Sequence, residues 1–339
     1  MRRAVAAVTI GDVAARSGVS TATVSRVLSG SVPARPETRD RVLAAARDLA
    51  YRPSGIARAL KRRETRTIGL VITDITNPFY PQVVSAIEAA AHERGYGIVL
   101  ANGGDDPARE LEHLDNLVER RVDGIVIASS RMTRRHAERL RAASVPVVLV
   151  NDTVSGSGLP TVTTAHRRGA RMAAQHLIDL GHVRLGHISA PSEHPAAGQR
   201  RLGVRDALRA ARLGEPLVAV GDGRVTGGAS ATEGLISAGV TGIVAYNDLT
   251  AIGALRALRG AGIGVPDEVS VVGFDDIDLA AWTDPPLTTI HQPIAQLGRW
   301  AVEHVAELLA GEGARPGALV QLQPQLVVRG STAARQGTV

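Results

Sequence analysis

Asparagine and aspartate gather where short apolar runs of this chain end: Asp74 and Asn77, Asn102, Asn151 and Asp152, Asn247 and Asp248, Asp275 and Asp276. Only eight of 339 residues are aromatic, yet Phe79, Tyr80, Tyr246, Phe274 and Trp282 all fall at those ends or in the loops after them. Aromatic faces beside amides and carboxylates suit a small polar ligand such as a sugar or a nucleobase. The same positions favour helix caps, because Asn and Asp accept hydrogen bonds from the first turn of a following helix. Between the two uses, capping is assigned to Asp248 and Asp276 and ligand contact to Asn247 and Asp275. Both uses stay open on the residues alone.

A second group lies near the N-terminus, in TIGDVAARSGVSTATVSRVLSG over 9–30. Thr9 and Asp12 have capping-box spacing, with Asp in place of the usual Glu or Gln. Ile10, Val13 and Ala14 share one helical face. Gly18 ends that helix, Ser20 is a good N-cap for a second helix to about Ser29, and Gly30 is placed to end it. Val24, Val27 and Leu28 form the apolar face of the second helix. Two short helices joined by a tight turn containing Gly match the helix-turn-helix, whose second helix enters the DNA major groove. An ordinary αα corner has the same outline. In the DNA-binding reading Thr21, Ala22, Ser25 and Arg26 face the bases, and the contacting set is Thr9, Ser20, Thr21, Ala22, Thr23, Ser25 and Arg26.

Charge separates the two groups. Residues 1–66 carry 14 Lys+Arg against 5 Asp+Glu, a net of +9, and the remainder carries 25 against 28, a net of −3, so the positive charge is confined to one end. A small basic unit on a larger, mildly acidic one implies a polyanion partner for the small part alone. Lys61 is the one lysine among 39 basic residues, which reads as a compositional bias toward Arg. A hydrophobic content of 44% with 21% charged residues is that of an ordinary soluble chain. There is no cysteine, which excludes disulfides and thiolate metal sites and suits a reducing cytoplasm. The start MRRAVAAVTI is too short and Ala-rich for a signal peptide, and no run approaches the roughly 18 apolar residues of a membrane span.

The elements that hold these residues follow from periodicity. Pro36 opens a third helix with Val42, Ala45, Ala46 and Leu49 on one face. After Tyr51, Pro53 and Ser54 begin a segment of only about eight residues before a charged run, marginal as a helix in water. Its Arg58, Lys61, Arg62 and Arg63 suggest that DNA holds it, and Leu60 is apolar among them. On the residues alone Leu60 is either a minor-groove wedge or, the preferred reading, a contact with a dimer mate. From Thr67 short β-rich runs alternate with helices: strands at 68–73, 97–102, 123–129, 145–150, 184–189, 216–220, 242–247 and 269–275. Such alternation indicates parallel sheets covered on both faces, here in two similar α/β lobes that bind ligands beyond the strand ends.

Signals for catalysis do not hold up. GDGRVTGG at 221–228 has Thr226 where the third Gly of a dinucleotide loop belongs, and it reads as a strand-to-helix turn. His166, His176, His182 and His187 lack metal-ligand spacing and read as surface or satisfied histidines. The sequence contains no G-x-S-x-G elbow and no Walker loop. No catalytic residue, metal or cofactor is assigned.

Seven motifs, in order, carry a resemblance: TIGDVAARSGVSTATVSRVLSG, ETRDRVLAAARDLAYRPSGIARAL, DITNPFY, RRVDGIVI, AYNDLTAIGALRAL, VPDEVSVVGFDD and PPLTTIHQP. Over nearly its whole length the chain resembles the lactose repressor (LacI/GalR) family of bacterial transcription regulators. The resemblance implies a helix-turn-helix headpiece over 1–53 and, over 54–66, a hinge helix and linker that order on operator DNA. It implies a two-lobed sensor of periplasmic-binding-protein type over 67–339, with lobe 1 near 67–162 and 293–322 and lobe 2 near 163–292 and 323–331. A cytoplasmic homodimer on a palindromic operator on double-stranded DNA, controlled by a small effector such as a sugar, is implied with it. No membrane is involved, and the tail STAARQGTV, without a leucine heptad, favours dimer over tetramer.

By the same resemblance Thr21 and Ala22 take the main base-reading places and Arg26 a supporting one. Leu60 becomes the minor-groove wedge, flanked by Ala57 and Lys61. Phe79, Asn151, Arg200, Asn247 and Asp275 match ligand-contacting positions, Gln292 lies near a lobe crossover, and Trp282 is added from the aromatic group. Two departures stand out. Arg35 replaces a Ser or Thr cap before the third helix, and TTAHRR at 163–168 replaces an acidic V-x-x-D-N segment, which puts Ala165 and His166 in the lobe-crossing region and implies a different effector or pocket wall. A solute-binding protein or a sugar-modifying enzyme is the alternative. The first calls for a signal peptide in place of the basic headpiece, the second for a catalytic pair.

Overall fold

The structure, a computed structural model, describes residues 8–29, 34–51, 64–128, 132–191, 195–311 and 317–335. Contacts divide the chain into two units, Met1–Thr65 and Arg66–Val339.

In the first unit, α1 (Ile10–Ser17), α2 (Thr21–Ser29) and α3 (Pro36–Asp48) close around Val13, Val24 and Val42, all fully buried. The local chemistry sets each boundary. Thr9 Oγ1 accepts from the Asp12 amide while the Thr9 amide donates to Asp12 Oδ2 at 2.8 Å, so the shorter Asp completes the capping box. Gly18 turns the chain at φ +66°, where a side chain would be strained. Ser20 Oγ accepts from the Thr23 amide at 3.2 Å and starts α2. Pro36 opens α3, and Arg35 before it supplies no side-chain cap.

The second unit opens with β1 (Thr67–Ile72), α4 (Phe79–Glu93), β2 (Gly97–Asn102), α5 (Pro107–Glu119), β3 (Gly124–Ala128), α6 (Ala137–Arg141), β4 (Val147–Val150) and β5 (Thr161–Thr164). It continues with α7 (His166–Asp179), β6 (Leu185–Ser189), α8 (Pro195–Ala210), β7 (Leu217–Val220), α9 (Val225–Ser237), β8 (Gly242–Ala245), α10 (Asp248–Gly260) and β9 (Ser270–Val272). Last come β10 (Thr289–His291), α11 (Ile294–Leu309), β11 (Leu319–Leu322) and β12 (Gln325–Val327). One parallel sheet runs β11-β5-β4-β3-β1-β2 and a second runs β7-β6-β8-β9, while β10 and β12 form an antiparallel ribbon. The central strands are buried end to end, as a sheet covered on both faces requires.

Three crossovers join the lobes. The chain leaves the first sheet after β5, returns after β10 into α11 and β11, and leaves again before β12. β5 is the strand that periodicity does not find: three of its four residues are threonine, so no apolar run marks it, although all four are buried.

In the second lobe α9 and α10 pack at backbone distance. A Cβ at Gly253 would collide with the Val225 carbonyl oxygen, and one at Gly228 with that of Thr250. Gly253→Ala is therefore expected to destabilise the protein by about 1–3 kcal/mol through overpacking. Urea unfolding checks this, and an unchanged midpoint would show that the helices part freely.

Candidate functional site

The headpiece presents one face of α2. Thr21, Ala22 and Arg26 are exposed, and Ser25 is half-buried. Ser20 and Thr23 are tied to each other by their hydroxyls at 3.0 Å, and Arg26 Nε donates back to the Ala22 carbonyl at 3.3 Å. The exposed row therefore offers a methyl group at Ala22 between polar neighbours. Thr9 stands at the start of α1 with its side chain committed to Asp12. Ala57, Leu60 and Lys61 lie outside the described residues.

In the second unit a cleft opens beyond the carboxyl ends of both sheets, where open α/β sheets bind ligands. Its back wall is built around Gln292, in the second crossover and 1% exposed. Gln292 Nε2 donates to Asp275 Oδ1 at 2.7 Å, and Gln292 Oε1 accepts from Asn151 Nδ2 at 2.8 Å and Thr164 Oγ1 at 2.6 Å. Asn151 follows β4 at φ +53°, and its Oδ1 accepts from the Thr164 amide at 2.9 Å. One amide thus links the first lobe to the second. Arg200, on α8 and 5% exposed, lies with its guanidinium 3.7 Å from the centre of the Phe274 ring and 4.7 Å from that of Tyr246. It donates to the Tyr246 carbonyl and stands 3.5 Å from Asp275. Phe79 lines the opposite wall at the start of α4, where Asn77 Oδ1 accepts from its amide at 3.1 Å.

At the mouth Asp74, after β1, pairs with Arg224 at 2.7 Å, and Gln82 Nε2 donates to Asp278 at 3.3 Å. Both contacts join the lobes. Arg224 belongs to the GDGRVTGG loop, a strand-to-helix turn in which Asp222 Oδ1 accepts from the Arg224 amide at 2.8 Å.

Residues 9–54 match the family model described as "Bacterial regulatory proteins, lacI family", and residues 65–321 match "Periplasmic binding proteins and sugar binding domain of LacI family". The chain belongs to the LacI family. It is 41% identical over 337 residues to an uncharacterized HTH-type transcriptional regulator of Streptomyces limosus, covering 96% of this chain and 94% of that one. To the ribose operon repressor of Escherichia coli K12 it is 36% identical over 328 residues, covering 95% and 99%. The lac repressor dimer bound to operator and the anti-inducer ONPF superposes with a TM-score of 0.89 at 29% identity, covering 97% and 100%. The two-lobed architecture, the helix-turn-helix and the regulatory function read from the sequence are those of the LacI family, which regulates transcription and is not enzymatic.

Within this LacI-family cleft the structure gathers Phe79, Asn151, Arg200, Asn247, Asp275 and Gln292 around one space. Trp282 does not join them. It follows a 3-10 turn at Asp278–Ala281 and is 86% exposed on the surface. The capping assignment is also corrected. Asn247, extended at φ −147°, is the N-cap of α10, with Oδ1 accepting from the Thr250 amide at 2.9 Å and Nδ2 donating to the Gly223 carbonyl. Asp248, the first helical residue, instead accepts from Thr289 Oγ1 and from the Ile277 amide. Asp276 caps no helix and holds His291 and Arg329 at 3.0 and 2.6 Å.

Two of the four histidines depart from their reading. His176 and His182 are satisfied, by Thr332 and by Thr241 and Ala333. His166 and His187 are buried, with an Nε2 that has no partner among the described residues. Burial, then the Arg200 cation, hold His166 well below the usual imidazole range, and burial takes His187 down to about 4. His166 lines the cleft, which sequence reasoning reached only as a departure from the family pattern.

Burial pushes the Asp275 carboxyl up to about 6 against the pull of Arg200 and the Gln292 hydrogen bond. Burial and then Asp275 push Asp248 well above the usual carboxylate range. Between about pH 4 and 6 the unfolded chain therefore ionises Asp275 while the folded chain keeps its proton, so this group's contribution to stability is lost as pH rises through that window. Asp275→Asn is expected to remove that falling component from the urea midpoint between pH 4 and 6. Identical pH slopes for the variant and the natural chain would contradict it.

Proposed function

We propose that the chain is a cytoplasmic, nucleoid-associated repressor that binds a palindromic operator as a homodimer and responds to a small polar effector, most simply a sugar. Its working parts are a headpiece over 1–53, a hinge over 54–66 and a sensor over 67–339. In this reading Thr21, Ala22 and Arg26 contact base edges, with Ser25, Thr23, Ser20 and Thr9 supporting. Ala22 contributes a methyl contact, such as to thymine, and leaves hydrogen-bonding discrimination to its neighbours. Leu60, with Ala57 and Lys61 beside it, opens the central minor groove.

The observation that carries the effector reading is the buried polar set of Asn151, Gln292, Asp275 and Arg200, which spans both lobes at their strand ends. A ligand exchanging hydrogen bonds with this set while stacking on Phe79 acts on both lobes at once. It would bias their relation, and through it the hinge, by its differential affinity for the two arrangements. The inter-lobe pairs Asp74–Arg224 and Gln82–Asp278 are contacts that such a shift makes or breaks.

Homodimerisation is supported by two sheet edges that leave apolar side chains in solvent: Leu100 on β2, and Val218 and Val220 on β7, the last 67% exposed. Exposed apolar edge strands are a liability unless a partner covers them. Among the described residues no helix is long and apolar enough to cross a membrane.

Selection of bound duplexes from a random library tests the DNA-binding half of this proposal. The full chain is expected to enrich a palindrome of two half-sites, and enrichment of a single asymmetric site, or of none, would overturn it.

A further inference from the structure

Past His166 and Asn151, which line both spaces, the effector cleft continues into a second chamber of about 730 Å³. Its wall is the TTAHRR segment and the first turns of α7, which contain no acidic residue. His166 Nδ1 lies 3.4 Å from Arg200 Nη2. A guanidinium only donates, so Nδ1 accepts and the proton of the neutral ring sits on Nε2. Among the described residues that N–H has no partner, although the residue is only 8% exposed. A buried donor left without a partner is costly, and the group that relieves it is an acceptor oxygen.

The neighbouring groups are donors too. Ala165 precedes the 14-residue α7 without giving it a side-chain cap, so the N–H groups and the positive end of the helix dipole face this wall uncapped. Arg168 and Arg171 line the chamber, are exposed, and form no ion pair among the described residues. Arg167 is held by Asp206 through two bonds of 2.6 and 3.0 Å, which neutralises that carboxylate. Asp152 is the other acid on the wall, with Oδ1 accepting from the Thr153 amide at 2.6 Å.

We infer that this chamber binds an oxyanion, a carboxylate or phosphate group, held by His166 Nε2–H, the start of α7, Arg168 and Arg171. The inference rests on the reading of the adjoining cleft as the effector site, and it narrows the effector to a sugar acid or sugar phosphate, with a free anion as the other source of the same chemistry.

Thermal unfolding of the full chain in millimolar phosphate, against chloride at equal ionic strength, tests it without DNA. Phosphate is expected to raise the transition temperature of the natural chain. Arg168→Gln/Arg171→Gln changes two exposed side chains and leaves the fold alone, and it should weaken phosphate about tenfold or more. Ala165→Asp restores a cap, so it should hold or raise the transition temperature without ligand while removing the phosphate effect. A phosphate effect that persists undiminished in both variants, or no effect of phosphate and of acidic sugars alike in the natural chain, would overturn the inference.

Matched pairs separate the sources: glucose against glucose 6-phosphate, ribose against ribose 5-phosphate, galactose against galacturonate. An acidic member that outperforms its neutral partner in the natural chain, but not in Ala165→Asp, places the anion on the effector. Protection by inorganic phosphate alone supports a free-anion site. Neutral sugars that bind equally well in every variant, with no phosphate effect, would leave the effector cleft standing and end the anion inference.

Discussion

Gln292→Leu is expected to cost about 3–6 kcal/mol of stability and to abolish the response to effector, while operator affinity stays within about threefold. Leucine nearly matches the volume of glutamine, so no cavity opens. The loss comes from three buried groups deprived of their partner: Asn151 Nδ2, Thr164 Oγ1 and Asp275 Oδ1. Each such group costs about 1–3 kcal/mol. Asp275 keeps Arg200 at 3.5 Å but loses a hydrogen bond that favours its charged form, so its carboxyl should rise further. The headpiece has its own core around Val13, Val24 and Val42, which is why DNA affinity is spared. Urea unfolding and operator titration with and without sugar read the two effects. A loss below about 1 kcal/mol would mean that water replaces the amide and the wall is not a dry network.

Leu60→Ala is expected to weaken operator binding by about tenfold to a hundredfold, with thermal unfolding unchanged. Leu60 lies outside the described residues, and its role follows from the sequence around it. A helix of about eight residues stands near its folding threshold and forms only when something holds it. Among Arg58, Lys61, Arg62 and Arg63 an apolar side chain can pack on a dimer mate or enter a base step, and the resemblance to the LacI family favours the base step. The salt dependence distinguishes this from a charge effect. Leu60→Ala should leave the slope of log affinity against log salt unchanged, whereas Lys61→Ala should reduce its magnitude by about 1. Equal loss on operator and on unrelated duplex would contradict the wedge.

Much of the fold is readable from residues because it rests on local rules. The capping box at Thr9, the Gly18 turn and Ser20 mark α1 and α2 in the sequence itself. Apolar runs mark the buried strands for the same reason, since both faces of those strands are covered. β5 escapes because its threonines, paired between β4 and β11 inside the sheet, are buried without forming an apolar run.

The candidate site is legible as positions but not as partners. Asn247 and Asp248 are adjacent, and only the backbone angles decide that the amide caps α10 while the acid folds back onto Ile277. Trp282 shows the limit of an aromatic near a strand end, because a single 3-10 turn carries it to the surface. His166 shows the converse. A departure in a motif pointed to the right place, and its chemistry emerged only once Arg200, 34 residues away, fixed which nitrogen carries the proton.

Coupling between cleft and operator is read by the anisotropy of a labelled palindromic operator titrated with the full chain, with and without each sugar found to stabilise it. One such ligand is expected to shift operator affinity about tenfold or more, and Gln292→Leu to bind the same operator without the shift. A ligand that occupies the cleft yet leaves operator affinity unchanged, or a shift that survives Gln292→Leu, would contradict it.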